Sequence, residues 1–196
     1  MNIIEKPEPE DTPFYINNGT VNVGNTNGKV ILQTFSLESL VRVAEVFQGK
    51  VPMCFLLWKG TGATDLTYDD PLGYASFINL GVKYKAHFIG PCIAGAPNDY
   101  PELDQPWQDY LIHRAKMKNH PYTFDTYDQM AKYFGQYCAS FVLPDYEPPY
   151  LDALFTNHSD MSINYMITHG WRKSPASQTL VDAREVLRKL GYLDNN

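Results

Sequence analysis

The chain has 196 residues, of which 44% are hydrophobic and 19% are charged, and its formal net charge is −6. This composition is typical of a globular domain with a sizeable core. Basic residues never run longer than two in a row, so a nucleic-acid partner is not indicated. The acidic start lacks the apolar segment of a signal peptide, and no apolar stretch nears the ~20 residues of a membrane span. We expect one soluble domain, residues 1–196, cytoplasmic as given, with the compartment of any longer precursor left open.

The three cysteines, Cys54, Cys92 and Cys138, are odd in number and lack the spacing of a metal site. In a reducing compartment such residues behave as small hydrophobes. The sequence therefore predicts that they are buried.

The first predicted elements lie between residues 16 and 49. Residues 16–28 are polar and carry Asn-Gly-type turn signals, which predict a surface loop or a small hairpin. Residues 29–35, KVILQTF, form a continuous β-type run, as expected of a strand buried on both faces. Ser36 fits the N-cap of a helix whose apolar residues recur at helical spacing until Gly49.

Strands and helices then alternate along the chain. Further strands are predicted at residues 51–58, 86–93, 120–124 and 153–156. Helices are predicted at 72–80, 107–118 and 126–137, and a last one begins near Pro175 and ends at Gly191. A polar loop covers 59–71, and a proline-rich connection covers 144–149. This alternation with short links indicates a parallel α/β domain.

Two of the predicted strands stop abruptly on small polar residues. Residues 119–124 read Asn-His-Pro-Tyr-Thr-Phe, and residues 153–160 read Ala-Leu-Phe-Thr-Asn-His-Ser-Asp. Strand ends of this kind carry the chemistry in parallel sheets and barrels. We therefore expect the functional site at these two strand ends.

Four segments resemble, in the same order, parts of the glycerophosphodiester phosphodiesterase family. Residues 30–40, VILQTFSLESL, are similar to the family's "viiQSFsleSL", and residues 88–91, FIGP, are similar to "gigP". Residues 119–124 resemble "vhPyTv", and residues 151–160 resemble "dgLfTdfPD". The resemblance implies an α/β fold, a TIM-type (β/α)₈ barrel. It also implies hydrolysis of a glycerophosphodiester to an alcohol and sn-glycerol 3-phosphate, assisted by a divalent cation, Ca²⁺ or Mg²⁺.

The chain departs from the family pattern in its N-terminal part. The family carries its two catalytic histidines in His-Arg-Gly and His-Asp motifs, with metal carboxylates in a Glu-x-Asp strand between them. Neither His-Arg-Gly nor a corresponding Glu-x-Asp occurs here, and the first histidine is His87. A full barrel typically takes ~250 residues. The sequence therefore predicts an incomplete barrel with the C-terminal strands and helices only, and its catalytic residues stay unassigned.

The resemblance implies substrate contacts at three positions. Gln33 and Phe35 would line the floor of the pocket, and Tyr122 stands where the family carries Trp or Tyr against the glycerol moiety. For Phe35 the alternative is plain core packing.

Two further site residues come from the start of the chain. Residues 2–7, NIIEKP, resemble the family's "nIEiKP" strand, so Lys6 would hold a phosphate oxygen. Glu5 sits one place later than the family's metal-binding Glu, which would turn it to the other face of a regular strand. Glu5 becomes a metal ligand if the strand bulges or pairs differently; the alternative is a solvated acidic terminus.

The histidines form no metal-binding pattern. His87 and His113 have no carboxylate at ligand spacing, and His120, before Pro121, reads as structural. The predicted function is a glycerophosphodiester phosphodiesterase-like protein that binds a small-molecule glycerophosphodiester, with weak or no activity in the isolated chain. The alternative is a catalytically inactive binding or assembly module built on half a barrel, completed by homodimerisation or binding a phosphorylated alcohol.

Overall fold

A computed structural model of the protein describes residues 2–7, 16–17, 20–21, 31–58, 68–136, 151–170 and 172. The chain divides into two compact units, Met1–Ser162 and Ile163–Asn196. Within the described ranges, no helix is long and apolar enough to cross a membrane. The predicted helix that ends at Gly191, the connection at 144–149 and Cys138 lie outside the described residues.

The described part of the first unit contains two sheets. β1 (Ile16–Asn17) and β2 (Thr20–Val21) pair antiparallel. Of the two alternatives predicted from the turn signals, a surface loop or a small hairpin, this pairing agrees with the hairpin. The larger sheet has four parallel strands: β3 (Leu32–Thr34), β4 (Met53–Leu57), β5 (Phe88–Pro91) and β6 (Lys118–Asn119). Their order in the sheet is the order in the chain.

Helices connect the parallel strands and follow them. They are α1 (Leu37–Phe47), α2 (Pro71–Lys83), α3 (Pro106–Arg114), α4 (Tyr127–Ala131) and α5 (Ser159–Thr168), and a π-helical turn, Lys132–Gln136, continues α4. Side-chain caps fix where they begin. The Ser36 hydroxyl accepts the Ser39 N–H at 3.3 Å before α1, as predicted. Asp70 caps α2, and Pro71 takes its first position.

Some predicted boundaries are wrong. The helix predicted at 107–118 already ends at Arg114, because Lys116 adopts a left-handed φ of 57° and the chain turns into β6. No pattern in the sequence analysis predicted α5. Residues 153–156 are not a regular strand, but the Ala153 and Phe155 N–H groups donate to the carbonyls of Asn119 and Pro121 at 3.2 and 2.9 Å. This segment therefore runs beside residues 119–124.

β4 and β5 are buried on both faces, whereas Gln33 of β3 is exposed, so the prediction that the strand at residues 29–35 is buried on both faces is wrong. On one face, strand residues such as Phe55 join side chains of α1, α2 and α3 in a single core, where Phe55 stacks on Phe77 at 4.3 Å. On the other face Cys54, Leu56 and Phe88 form a second buried cluster. Crossovers between parallel strands are nearly always right-handed, so strands laid down in chain order keep their helices on one side. The described residues thus form an α/β sheet with α1, α2 and α3 on one face.

Candidate functional site

Four aromatic side chains meet at the carboxyl end of the parallel sheet. Phe35 follows β3, Trp58 follows β4, Tyr122 lies just beyond β6, and Tyr100 lies in the loop between β5 and α3. Parallel strands all finish at the same end, so residues that follow them gather there. We call these four side chains the aromatic quartet.

The quartet forms a closed circuit of ring contacts. The centroids of Phe35 and Trp58 are 6.3 Å apart, and those of Trp58 and Tyr100 are 6.4 Å apart. Tyr100 and Tyr122 follow at 5.9 Å, and Tyr122 returns to Phe35 at 5.6 Å. Neighbouring rings are inclined by 59° to 85°, a favourable edge-to-face range. Phe35 and Trp58 remain 38% and 37% exposed, so the quartet is open to solvent.

Tyr122 is held by the sheet itself. Its hydroxyl donates a hydrogen bond to the carbonyl of Leu57, the last residue of β4, at 3.0 Å. Burial raises the pKa of Tyr122 well above its ordinary value, and the nearby Cys92 thiol adds to the rise. The phenol is therefore neutral at physiological pH, and its proton is used in the hydrogen bond to Leu57.

Gln33 lies on the same side of the sheet as the quartet. It pairs in register with Cys54, which faces away from the helices, and it is exposed. Phe35, two residues later, continues this face because side chains alternate along a strand. The structure thus brings Phe35 and Tyr122 into contact and places Gln33 on the same face.

Glu5 and Lys6 lie at the opposite, amino end of the sheet. The Lys6 N–H donates to the carbonyl of Ala115 at 2.9 Å, between the end of α3 and the start of β6. The Glu5 carboxylate lies 3.1 Å from the Arg114 guanidinium and 3.6 Å from the Lys116 ammonium. The structure therefore does not bring these two residues together with the other three predicted site residues.

Trp58 and Tyr100 complete the quartet but were not among the predicted site residues. Trp58 is the last residue of the strand predicted at 51–58, and an aromatic residue at the end of a parallel strand was a usable signal. Tyr100 lies in a loop whose course no periodic pattern indicates. Only the folded chain places it beside Tyr122.

A buried polar cluster fastens α3 to β6 on the helix side of the sheet. The Asn119 side-chain amide donates to Asp104 and Asp109 at 2.8 Å each, and its backbone N–H donates to Asp152 at 2.8 Å. Burial raises the pKa of Asp104 well above its ordinary value, and the charge of Asp109 raises it further. This cluster holds the fold together and lies apart from the quartet.

His113 belongs to the same cluster, and the expectation that it has no suitably placed carboxylate is wrong. Its Nε2 lies 2.8 Å from Asp152, and its Nδ1 lies 3.5 Å from Asp109, one helical turn earlier. Burial by itself lowers the pKa of His113. The hydrogen bond to Asp152 and the charges of the two carboxylates outweigh burial, so the pKa is raised overall.

Two other histidines are neutral and engaged in packing. The His120 ring stacks on Phe155 with centroids 3.9 Å apart, and burial lowers the pKa of His120 to about 4. His87 accepts the Met53 N–H at Nδ1, and burial followed by the charge of Lys6 lowers the pKa of His87 to about 3. Neither ring is protonated near neutral pH.

A divalent cation does not fit the described residues. Among them, no group of three or more His, Cys, Asp and Glu side chains is placed to hold a metal ion. Ca²⁺ and Mg²⁺ need several oxygen ligands, whereas Glu5, the predicted ligand, is paired with two cationic side chains.

A scan against models of protein families finds no match for this chain, and a search of the curated proteins finds none either.

Proposed function

We propose that this chain is a glycerophosphodiester phosphodiesterase-like protein. It would bind a glycerophosphodiester at the end of the parallel sheet that carries the aromatic quartet. The contact between Phe35 and Tyr122, 5.6 Å between ring centroids, carries the proposal. These residues follow β3 and β6, which are separated by two strands and would lie about 14 Å apart in a flat sheet. A sheet that curves toward this face, as the wall of a barrel does, favours such a contact.

The strand order supports the barrel part of the proposal. Four parallel strands in chain order, with helices on one face, are the arrangement of a segment of a (β/α)₈ barrel. A doubly wound sheet reverses its strand order at a switch point and places helices on both faces. We propose that the sheet belongs to an incomplete barrel whose concave face carries Gln33 and Phe35.

Binding and hydrolysis make different demands on the chain. Hydrolysis needs an activated nucleophile, stabilisation of charge on the phosphoryl oxygens and protonation of the leaving alcohol. His87 and His120 are buried and neutral, and His113 is paired with Asp152. We therefore propose that the isolated chain binds the ligand and turns it over weakly or not at all, and that binding at the quartet needs no Ca²⁺ or Mg²⁺.

The second candidate is a binding or assembly module without any hydrolytic role, and the engagement of these three histidines favours it. Release of alcohol from glycerophosphocholine is measured with added Ca²⁺ or Mg²⁺. Weak but detectable turnover would support the first candidate and contradict the module. Robust metal-dependent turnover would contradict both the module and the proposed weak activity. Size-exclusion chromatography of the same sample tests assembly, because an obligate tight dimer would favour the module.

Binding is tested with glycerophosphoglycerol, which has no cationic group, by isothermal titration calorimetry. Phe35→Leu is expected to weaken binding several-fold, because a ring face that contacts the ligand is removed. Phe47→Leu is the matched control: Phe47 is 39% exposed, against 38% for Phe35, and it ends α1 away from the quartet. Equal effects of the two substitutions, or no binding by the unmodified chain, would overturn the site.

A further inference from the structure

We propose that the aromatic quartet receives a quaternary ammonium head group, which makes glycerophosphocholine-like compounds the preferred ligands. The inference rests on the proposed function for the glycerophosphate part of the ligand. It moves the contact of Tyr122 from the glycerol moiety to the cationic head group. Binding of quaternary ammonium by several aromatic rings is a recurrent use of the cation–π interaction.

The dimensions of the circuit suit a cation at its middle. The four sides measure between 5.6 and 6.4 Å from centroid to centroid. Whatever the angles between its sides, a closed four-sided circuit of these dimensions has its midpoint within about 6 Å of every centroid. This distance is within the range of a cation–π contact. A ligand cation at that point would lie within cation–π distance of all four ring centroids.

The inclination of the rings suits the same arrangement. Walls of a four-sided box meet at steep angles, and the neighbouring rings of the quartet meet at 64°, 63°, 59° and 85°. Buried aromatic pairs of this chain also meet at steep angles, as Phe124 and Tyr133 do at 76°. The quartet, by contrast, leaves Phe35 and Trp58 more than one-third exposed, which gives a ligand access.

Local charge also favours a cation. The described loops that follow β5 and β6, residues 92–105 and 122–126, contain Asp99, Glu102 and Asp125, besides Asp104 of the buried polar cluster, but no Lys or Arg. Lys132 of the π-helical turn pairs with Glu102 at 2.6 Å. This balance suits the ammonium group, and the phosphate of the ligand would lie outside the quartet, since phosphate groups are bound by Arg, Lys and N–H donors.

Hydrogen bonding narrows the ligand to a quaternary ammonium. The Tyr122 hydroxyl already donates to Leu57. Phe35 and Trp58 have no acceptor, so within the quartet only the hydroxyl oxygens of Tyr100 and Tyr122 can accept a hydrogen bond. A primary ammonium carries three N–H donors that need acceptors, whereas a trimethylammonium carries none and loses no hydrogen bond on entering. We therefore expect choline to be preferred over ethanolamine.

The test measures affinities of the full chain for choline, ethanolamine, glycerophosphocholine and glycerophosphoglycerol by calorimetry or ligand-observed NMR. The neutral control is 3,3-dimethylbutanol, which has the shape of choline without its charge. We expect choline to bind at least fivefold more tightly than 3,3-dimethylbutanol and ethanolamine, because the cation–π contribution and the missing N–H groups both favour it. Equal affinities for choline and the neutral control would overturn the inference.

The same measurements separate this inference from the proposed function. If glycerophosphocholine binds more tightly than choline, the ammonium site and the proposed function are both supported. Choline binding as tightly as glycerophosphocholine supports the quartet site and contradicts the proposed glycerophosphodiester function. If glycerophosphocholine and glycerophosphoglycerol bind with equal affinity, the proposed function is supported and the ammonium site is overturned. Absence of binding by every compound overturns both.

Substitutions in the quartet provide the residue-level test. Trp58→Leu is expected to weaken choline binding by about five- to thirtyfold, and Trp58→Phe, which keeps a ring, should recover part of the loss. Phe47→Leu is the matched control and should leave choline affinity unchanged. Circular dichroism and thermal unfolding check that each variant is folded; if Trp58→Leu does not fold, Phe35→Leu takes its place and should weaken choline binding several-fold. Folded Trp58→Leu or folded Phe35→Leu with unchanged choline affinity would overturn the inference.

Discussion

Gly90, within β5, is the position at which one added methyl group should cost most stability. A Cβ built there lies 2.6 Å from Leu56 Cδ2, 2.9 Å from Cys54 Sγ and 3.0 Å from the His120 carbonyl oxygen. Leu56 and Cys54 belong to the buried cluster opposite the helices, and the carbonyl is backbone, so none of the three can retreat cheaply. Overpacking costs about 1–3 kcal/mol, and the backbone contact brings our expectation for Gly90→Ala to about 2–4 kcal/mol of unfolding free energy.

The assay is urea denaturation followed by circular dichroism, with Gly81→Ala in α2 as the control. A Cβ at Gly81 meets only the side-chain ends of Ile89 and Met117, at 3.0 and 3.3 Å, and Ala is favoured over Gly in a helix by about 1 kcal/mol. We expect Gly81→Ala to stay within about 1 kcal/mol of the unmodified chain. In thermal unfolding, the Gly90→Ala loss corresponds to a decrease in Tm of about 4–16 °C.

A second substitution tests the mechanism of that loss. Leu56→Val removes the Cδ2 atom that the new methyl group meets first, so it should recover about 1 kcal/mol in the Gly90→Ala background. Gly90→Ala that is as stable as Gly81→Ala would refute the packing described for the face opposite the helices.

Three further predictions concern the charged groups. The raised pKa of Asp104 means that the native state binds its proton more tightly than the unfolded chain, so the free energy of unfolding falls as pH rises above about 4. The free energy of unfolding of Asp104→Asn, measured by urea titration, should therefore rise relative to that of the unmodified chain by up to about 1.4 kcal/mol per pH unit. A difference between the two proteins that stays constant with pH would contradict this. The raised pKa of His113 means that its pairing with Asp152 stabilises the fold below pH 6.5 and is lost as pH rises through the native pKa, so His113→Gln should cost more stability at pH 6 than at pH 9. Glu5 is 47% exposed where it pairs with Arg114, so Glu5→Gln should cost less than about 1 kcal/mol and leave glycerophosphocholine affinity unchanged in calorimetry; a large loss of affinity would place Glu5 in the site.

Local signals in the sequence located most of the regular elements. The apolar run at 51–58 predicted β4, and the helical spacing after Ser36 predicted α1. Burial and capping are recognisable from the residue types of a short segment, because both depend on residues close together in the chain. The lack of a predicted helix at α5 has the same cause: of its ten residues, Ser162 and Tyr165 are the described buried ones, so it shows no regular apolar stripe.

The site was only partly predictable, because its geometry depends on residues far apart in the chain. Phe35 and Tyr122 were selected by resemblance, and the structure places their rings in contact. Tyr100 has no local signal, and the pairing of His113 with Asp152 joins residues 39 positions apart. Single-sequence patterns report local periodicity, and neither contact leaves a trace in it.

The hydrogen bond from Tyr122 to the carbonyl of Leu57 joins two corners of the quartet that are not neighbours in the circuit. Leu57 directly precedes Trp58, so the backbone that carries Trp58 is tied to the ring on the far side. One diagonal of the quartet is therefore set by main-chain positions, while Phe35 and Tyr100 stand on separate segments. In the proposed ammonium site, such an arrangement would set the distance between these two corners before a ligand arrives, which would lower the ordering cost of binding and favour a group of matching size.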